Sequence, residues 1–265
     1  MNGDFKYIAQ VRENREIEYE GLTFYPLTVR DFELYRSGQA AWELMMSSLP
    51  PKLARLSWCA ALEQIDRMSG TNVFFGAAMN VLARALKLEC ATVNGRKGFL
   101  ISTVKRGDAL EGVFLREYNV VLTMQQMDEV RRIIALQNDY QIPNENWNPD
   151  LVADVQYTQA QDAPRLKAEI EDWVYSVAVN SGEKAEEIWS WPIRKLKCCD
   201  RAIERTLGYQ IYTLAGAAGL VKFKHGAPYP TWRFDKKADL PGAFKTMGEL
   251  EENAKGQLPE AQEQH

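Results

Sequence analysis

Cysteine and histidine are the side chains best suited to bind a metal or to attack a substrate, and this chain has few of them. Its four cysteines show no CxxC spacing, and it has two histidines. These residues are Cys59, Cys90, Cys198, Cys199, His225 and His265. A common zinc site needs four such ligands at short, recurring spacings, and a general base needs a partner at motif spacing. We therefore expect no catalytic residue, no metal and no cofactor, and cysteines that stay reduced.

The glycine-rich stretch 94–98 is the one place where a phosphate loop could be considered. It reads Asn-Gly-Arg-Lys-Gly, and neither GxxxxGK[ST] nor GxGxxG occurs. Asn-Gly is instead a strong signal for a two-residue hairpin turn. The sequence predicts a hairpin with strands at 91–93 and 99–104, and further short strands at 113–115 and 120–122 would complete a small meander.

The N-terminal part carries one hairpin signal and a helix start. Residues 17–27 alternate apolar and polar around Gly21, which predicts two short strands. Thr28 and Asp31 have the spacing of a capping box, so a helix should begin there.

Three more helices are predicted before residue 142. Pro50-Pro51 ends the preceding helix and starts another, which runs through Leu53, Leu56, Ala60 and Ile65 and ends at Gly70. The apolar segment 71–88 should be the most buried helix of this half. Thr123 and Gln126 form a second capping box and open the next helix, whose apolar residues line one side.

The C-terminal part predicts a helical hairpin. One helix should run from Ala163 to Val179 and end at Asn180-Ser-Gly, and a second should begin at Pro192, since proline is favoured at the first helical position. Apolar residues recur along the second helix at spacings near three, four and seven, which is typical of one helix face. They are Ile193, Leu196, Ile203, Leu207, Ile211, Leu214 and Ala215.

Taken together, these elements predict a mainly α (α+β) protein. An α-rich N-terminal domain, residues 1–142, should contain the β insert near 91–122, and a linker at 143–164 is rich in Pro, Asn and polar residues. A smaller C-terminal helical domain is predicted at 165–240. The aromatic-free, acidic segment 241–265 should be a disordered tail.

Charge is distributed unevenly along the chain. The formal net charge is −4, whereas residues 190–237 contain ten Lys or Arg against three Asp or Glu. Basic residues interleaved with aromatic ones are typical of nucleic-acid-binding surfaces, but on a helix they are also typical of a solvated face. The residues concerned are Arg194, Lys195, Lys197, Arg201, Arg205, Lys222 and Lys224. The longest uncharged, mostly apolar run, 209–221, is shorter than the roughly 20 residues that span a bilayer, so no membrane partner is expected.

Several short motifs resemble a family of tailed-bacteriophage proteins encoded in tail-morphogenesis modules. They are Gly21-Leu-Thr-Phe-Tyr-Pro-Leu-Thr-Val-Arg-Asp-Phe, Arg131-Arg-Ile-Ile-Ala-Leu-Gln-Asn, Pro192-Ile-Arg-Lys-Leu, Tyr209-Gln-Ile-Tyr and Gly219-Leu-Val-Lys-Phe-Lys. Each motif is short, but their order and spacing extend over most of residues 17–235. Some members are treated as tail assembly chaperones. The chain differs from the family after the final aromatic block, Tyr229-Pro-Thr-Trp-Arg-Phe, which is followed by an acidic tail that is not a family feature.

The resemblance implies a non-enzymatic tail assembly protein, a chaperone in the host cytoplasm that binds the tape-measure protein and, as a second partner, the tail tube protein. A structural component of the virion tail and a nucleic-acid-binding accessory protein are the alternatives. A chaperone of a helical client needs apolar side chains on a helical platform. The candidate partner-binding residues are Trp189, Trp191, Tyr212, Phe223, Tyr229 and Trp232, although aromatic residues at helical spacing are also typical of a core.

Overall fold

The computed structural model describes residues 6–93, 96–145, 148–150, 152 and 169–219, and for 91–93, 96 and 97 it describes the backbone alone. These residues form a mainly helical α+β fold, which confirms the predicted class. Contacts divide the chain into two units, residues 1–150 with 166–203 and residues 151–165 with 204–265. Most of the predicted linker at 143–164 lies outside the described residues, and so does the whole predicted tail at 241–265. The predicted division into domains therefore stays a prediction.

Helices make up most of the described chain. They are α1 (Ile8–Arg12), α2 (Phe32–Trp42), α3 (Pro51–Ala54), α4 (Trp58–Ser69), α5 (Phe74–Ala85), α6 (Met124–Asn138), α7 (Ile170–Ser181), α8 (Ala185–Ile188) and α9 (Ile193–Ala217). The strands are β1 (Ile17–Tyr19), β2 (Leu22–Phe24), β3 (Cys90–Val93), β4 (Arg96–Phe99), β5 (Ile101–Arg106), β6 (Ala109–Leu115) and β7 (Val120–Thr123). Among the described residues, no helix is both long enough and apolar enough to cross a membrane.

The hairpin predicted around Gly21 is present. β1 and β2 pair antiparallel, with Tyr19 opposite Leu22, so the turn has two residues. Both turn residues are left-handed, with φ of 53° at Glu20 and 72° at Gly21. Positive φ at both central positions is the geometry that matches the twist of a tight hairpin, and it explains why a glycine stands there.

Both predicted capping boxes are formed. The backbone N–H and the hydroxyl of Thr28 donate to Asp31 Oδ2 at 3.0 and 2.7 Å, and a short 3₁₀ turn then leads into α2. At the start of α6, Gln126 N–H donates to the Thr123 hydroxyl at 3.3 Å and Thr123 N–H donates to Gln126 Oε1 at 2.9 Å. Each box satisfies N–H groups that have no partner inside the helix, which is why the two helices begin where the sequence indicates.

The helix predicted from Pro51 to Gly70 is wrong in its continuity, because residues 55–57 interrupt it and separate α3 from α4. The reason lies at Trp58, which is 2% exposed. Its indole N–H donates to the Ala41 carbonyl at 2.8 Å and its backbone N–H donates to Asp128 Oδ1 at 3.3 Å. These contacts fix a new helix start that local sequence does not encode. The predicted end of α4 is confirmed, since Gly70 is left-handed with φ of 66°.

α5 is held against α2 and α4 by two tight arrangements. A Cβ added to Gly38 of α2 would lie 2.6 Å from Val81 Cγ2, so the glycine permits a close helix crossing. The buried carboxylate of Asp66, at the end of α4, accepts backbone hydrogen bonds from Val73, Phe74 and Phe75 at 2.8 to 3.2 Å. This side chain caps α5 and complements the positive end of its dipole.

The predicted meander is instead divided into a two-stranded sheet and a separate three-stranded sheet. The strand predicted at 99–104 is wrong in its continuity, because β4 ends at Phe99 and β5 begins at Ile101. β3 pairs with β4, and Val93 stands opposite Arg96, as a two-residue turn requires; Asn94 and Gly95 themselves lie outside the described residues. A separate three-stranded sheet has the order β5-β6-β7, which confirms the strands predicted at 113–115 and 120–122. Arg67 of α4 and Lys105 of β5 meet at Glu63, with N–O distances of 3.0 and 2.6 Å.

The buried apolar residues form two clusters. The larger one collects α2, α4, α5, α6 and the inner faces of the strands. The smaller one joins α7, α8 and the first half of α9 to Val29, and its buried members are Val29, Ile170, Val174, Val177, Ile188 and Leu196. Residues 169–203 therefore complete a core with the start of α2.

Candidate partner-binding surface

The segment before α9 is fixed by backbone hydrogen bonds to the strand-to-helix connection after β2. Val29 N–H donates to the Trp191 carbonyl at 2.8 Å, Arg30 N–H to the Trp189 carbonyl at 3.1 Å, and Ile193 N–H to the Leu27 carbonyl at 2.9 Å. Pro192, the predicted first residue of this helix, makes a β-bridge with Thr28 instead. α9 therefore begins one position later, at Ile193. These bonds set the position at which α9 starts.

Two of the predicted partner-binding residues, Trp189 and Trp191, lie in this segment. Both are half-buried and pack against the smaller apolar cluster. The Lys195 ammonium lies 3.4 Å from the centre of the Trp191 ring, a close cation–π contact. The two side chains therefore contribute to packing, and a role in partner binding stays a prediction.

The first half of α9 is bound tightly by the residues around it. Ile193 and Leu196 are fully buried. Arg194 donates to the Val11 carbonyl at 3.3 Å, and Lys197 donates to the Tyr35 hydroxyl at 2.9 Å. Apolar burial and directed hydrogen bonds together fix both the position and the rotation of this half of the helix.

Asp139 is the acidic centre of that attachment. It ends α6 in a left-handed conformation, with φ of 59°, and its Oδ2 lies 2.7 Å from Arg201 Nη1 and 3.5 Å from Lys197 Nζ. Burial alone would lower the pKa of Arg201, but the hydrogen bond from its guanidinium to Asp139 raises it above its ordinary value. Burial raises the pKa of Tyr35, an effect that the ammonium of Lys197 opposes.

A row of aromatic rings runs through the same region, and sequence reasoning did not find it. Neighbouring ring centroids are 4.4 to 6.0 Å apart. In order, the rings are Trp58, Trp42, Tyr140, Tyr35, Phe32 and Trp173. Burial raises the pKa of Tyr140, whose hydroxyl donates to the Tyr35 carbonyl at 3.0 Å. The row packs α2, α4 and α7 together.

Arg131 lies at the Trp58 end of this row and is nearly buried. Its guanidinium donates to the carbonyls of Trp42 and Leu44 at 2.6 to 3.2 Å and lies 5.2 Å from the centre of the Trp58 ring. Burial lowers the pKa of Arg131 to about 10. The side chain satisfies the carbonyl of Trp42, which ends α2 without a helical partner, and that of Leu44 just beyond the helix, so its contacts are structural.

The second half of α9 is uncharged and carries exposed apolar side chains, unlike the buried and basic first half. Residues 206–219 contain no charged residue. Leu207, Ile211 and Leu214 are 46%, 63% and 69% exposed, and they stand at i, i+4 and i+7, which places them on one side of the helix. This uncharged segment, with its stripe of exposed aliphatic side chains, is called the α9 apolar face below.

Tyr212 is the one predicted partner-binding residue that the structure places within this segment, and it is 57% exposed. Phe223, Tyr229 and Trp232 lie outside the described residues, as do both histidines. Of the six predicted partner-binding residues, Trp189 and Trp191 therefore pack against the smaller cluster, Tyr212 is exposed, and the other three are not described.

Comparison with known proteins identifies no relative. No protein-family model, no curated protein and no solved structure matches this chain. Its function must therefore be inferred from the contacts and surfaces of the chain itself.

Proposed function

We propose that this protein is a bacteriophage tail assembly chaperone that holds an apolar helical segment of the tape-measure protein before the tail tube forms around it. The α9 apolar face is the observation that carries the proposal. A helical client with exposed apolar side chains needs a partner surface of the same kind, and an amphipathic helix is recognised through anchors at i, i+4 and i+7. The spacing of Leu207, Ile211 and Leu214 fits that mode.

The α9 apolar face can supply part of the free energy of reversible client binding. Full burial of an aliphatic side chain contributes roughly 1.5–3 kcal/mol, so the partly exposed Ile211 and Leu214 could each contribute about 1–2 kcal/mol when a client covers them. Three such anchors supply about 3–6 kcal/mol in total, which is less than the roughly 8 kcal/mol that corresponds to a micromolar dissociation constant. Because association also has an entropic cost, a stable complex requires further contacts between the client and the chaperone.

The basic residues of α9 support apolar binding over phosphate binding. Four of its five predicted basic residues already contact groups of their own chain. Arg194 donates to a carbonyl and Lys195 lies over an indole ring. Lys197 donates to a tyrosine hydroxyl and Arg201 pairs with the Asp139 carboxylate; the fifth residue is Arg205. Side chains that are already engaged would have to give up these contacts to bind a phosphate backbone. The nucleic-acid alternative is therefore less favoured by the geometry.

Co-expression with the tape-measure protein of the same phage tests the proposal. The chaperone should keep the tape-measure protein soluble and co-purify with it, and it should be absent from purified particles when these are examined by mass spectrometry. Stoichiometric recovery in the particles would favour a structural tail component instead. Insoluble tape-measure protein, with no complex formed, would remove the chaperone function.

A further inference from the structure

We propose that a groove between α5 and β5 binds an extended, uncharged polypeptide segment, which adds to the sheet as a strand alongside β5. The groove has a volume of about 550 Å³, within the range of ligand-binding clefts. Its apolar lining comes from Phe75 and Met79 of α5, from Phe99 and from Ile101. This site is separate from the α9 apolar face and does not depend on the function proposed above.

The register of the sheet explains why the groove exists. Ile101 stands opposite Leu115 and Thr103 opposite Val113, so these two β5 residues lie on the same side of the sheet as two fully buried β6 residues. On β6 that side is covered by the core, whereas on β5 Ile101 is half-buried and Thr103 is exposed. The inner face of the sheet therefore extends one strand beyond the helices that cover it.

β5 also offers an edge for pairing. Within the described residues it pairs with β6 alone, so the hydrogen-bonding groups along its other edge have no strand partner there. Natural edges are commonly blocked by charged residues, proline or a bulge, and here the bulge and the basic residues come only at Val104 and beyond. The edge open to pairing is therefore residues 101–104, which would match about four residues of a partner strand.

The charge of the lining determines which segment can enter. None of the lining residues that the structure describes is charged; the polar ones include Asn72, Asn80, Ser102 and Thr103. A charged side chain would lose water in the groove without gaining an ion pair, whereas amides and hydroxyls can replace the hydrogen bonds of a peptide backbone. Apolar side chains at every second position of the segment would meet Phe75 and Ile101.

Selection from a random heptapeptide library displayed on phage, with the full-length protein as bait, tests this site. We expect enrichment of uncharged sequences with apolar residues at alternate positions. The same selection on Thr103→Lys, which places a charge in the groove at an exposed position, should lose that enrichment. Val121→Lys is the matched control, because Val121 is 46% exposed on β7, the opposite edge of the sheet, and should leave it intact. Circular dichroism should show that both variants are folded.

A synthetic copy of an enriched peptide then tests strand addition itself. Since successive amides of a strand point to opposite sides, N-methylation of one alternate set should weaken binding at least tenfold, and methylation of the other set should have little effect. A consensus rich in charged residues, enrichment that survives Thr103→Lys, or no enrichment at all would overturn the site. Equal affinity of the two methylated peptides would overturn the strand geometry.

Discussion

The close crossing of α2 and α5 leads to a quantitative prediction for Gly38→Ala. In an open helix position, alanine is favoured over glycine by about 1 kcal/mol. At Gly38 the new Cβ would lie 2.6 Å from Val81 Cγ2 and 3.2 Å from Trp42 Cδ1, and both neighbours are fully buried. Overpacking of this kind costs about 1–3 kcal/mol, so we expect a net destabilisation of up to about 2 kcal/mol.

Gly208→Ala is the matched control. It makes the same chemical change in α9, where an added Cβ would meet no atom within 4 Å, so helix propensity alone should act and stability should rise by up to about 1 kcal/mol. Thermal unfolding followed by circular dichroism can measure the stability change of each variant, because 1 kcal/mol corresponds to about 2–4 °C in Tm for a chain of this size.

A double-mutant cycle with Val81→Ala isolates the crossing itself. Val81→Ala alone leaves a cavity and destabilises, but in that background Gly38→Ala should no longer be harmful, because the methyl group that it meets is absent. We expect a coupling of about 1–3 kcal/mol between the two sites. If Gly38→Ala raised the Tm as much as Gly208→Ala does, the close crossing of α2 and α5 would be refuted.

Three further predictions concern single side chains. Asp66→Ala should destabilise by about 2–4 kcal/mol in denaturant unfolding, because three N–H groups at the start of α5 lose their acceptor, whereas Asp108→Ala, at a fully exposed position, should be silent. Burial raises the pKa of the Cys59 thiol to about 12, so Cys59 should react with iodoacetamide only when the protein unfolds. Cys90 is exposed and should react in the native protein. Rapid labelling of Cys59 in the native protein would contradict its burial. Burial alone would raise the pKa of Glu63, but its hydrogen-bonded ion pairs with Lys105 and Arg67 outweigh burial and lower the pKa below its ordinary value. The resulting stability, under about 1 kcal/mol, is present above the unfolded-state pKa and is lost as pH falls through the folded-state pKa, so Glu63→Gln should be less stable than wild type at pH 7 and the difference should shrink in acid. A difference that stays constant as the pH is lowered would show that the loss is not electrostatic.

The features that sequence predicted well are those set by neighbouring residues. The capping box at Thr123 and Gln126 and the turn at Gly21 involve contacts within three residues, so their pattern is visible in the chain. The break before α4 was missed because it depends on hydrogen bonds from Trp58 to Ala41 and Asp128, which are distant in sequence. Local propensity contains no information about such partners.

The candidate surface was predictable only in part. The spacing of Ile193, Leu196, Leu207 and Ile211 indicates one apolar stripe along α9, but spacing does not reveal what covers it. The structure buries the first two residues and exposes the last two. The attachment through Asp139 was missed for the same reason as Trp58, since its partners on α9 are about sixty residues away.

Binding of a tape-measure fragment to the α9 apolar face is the central claim, and isothermal titration of the double variant Ile211→Ser/Leu214→Ser tests it most directly. Loss of two anchors worth about 1–2 kcal/mol each should weaken binding by roughly 30- to 1,000-fold, while Val179→Ser, at an exposed apolar position on α7, should leave it unchanged. Wild-type affinity should change little between 50 and 200 mM salt. Unchanged affinity in the folded double variant, or a salt-dependent loss on the order of a thousandfold as phosphate binding would give, would contradict the claim.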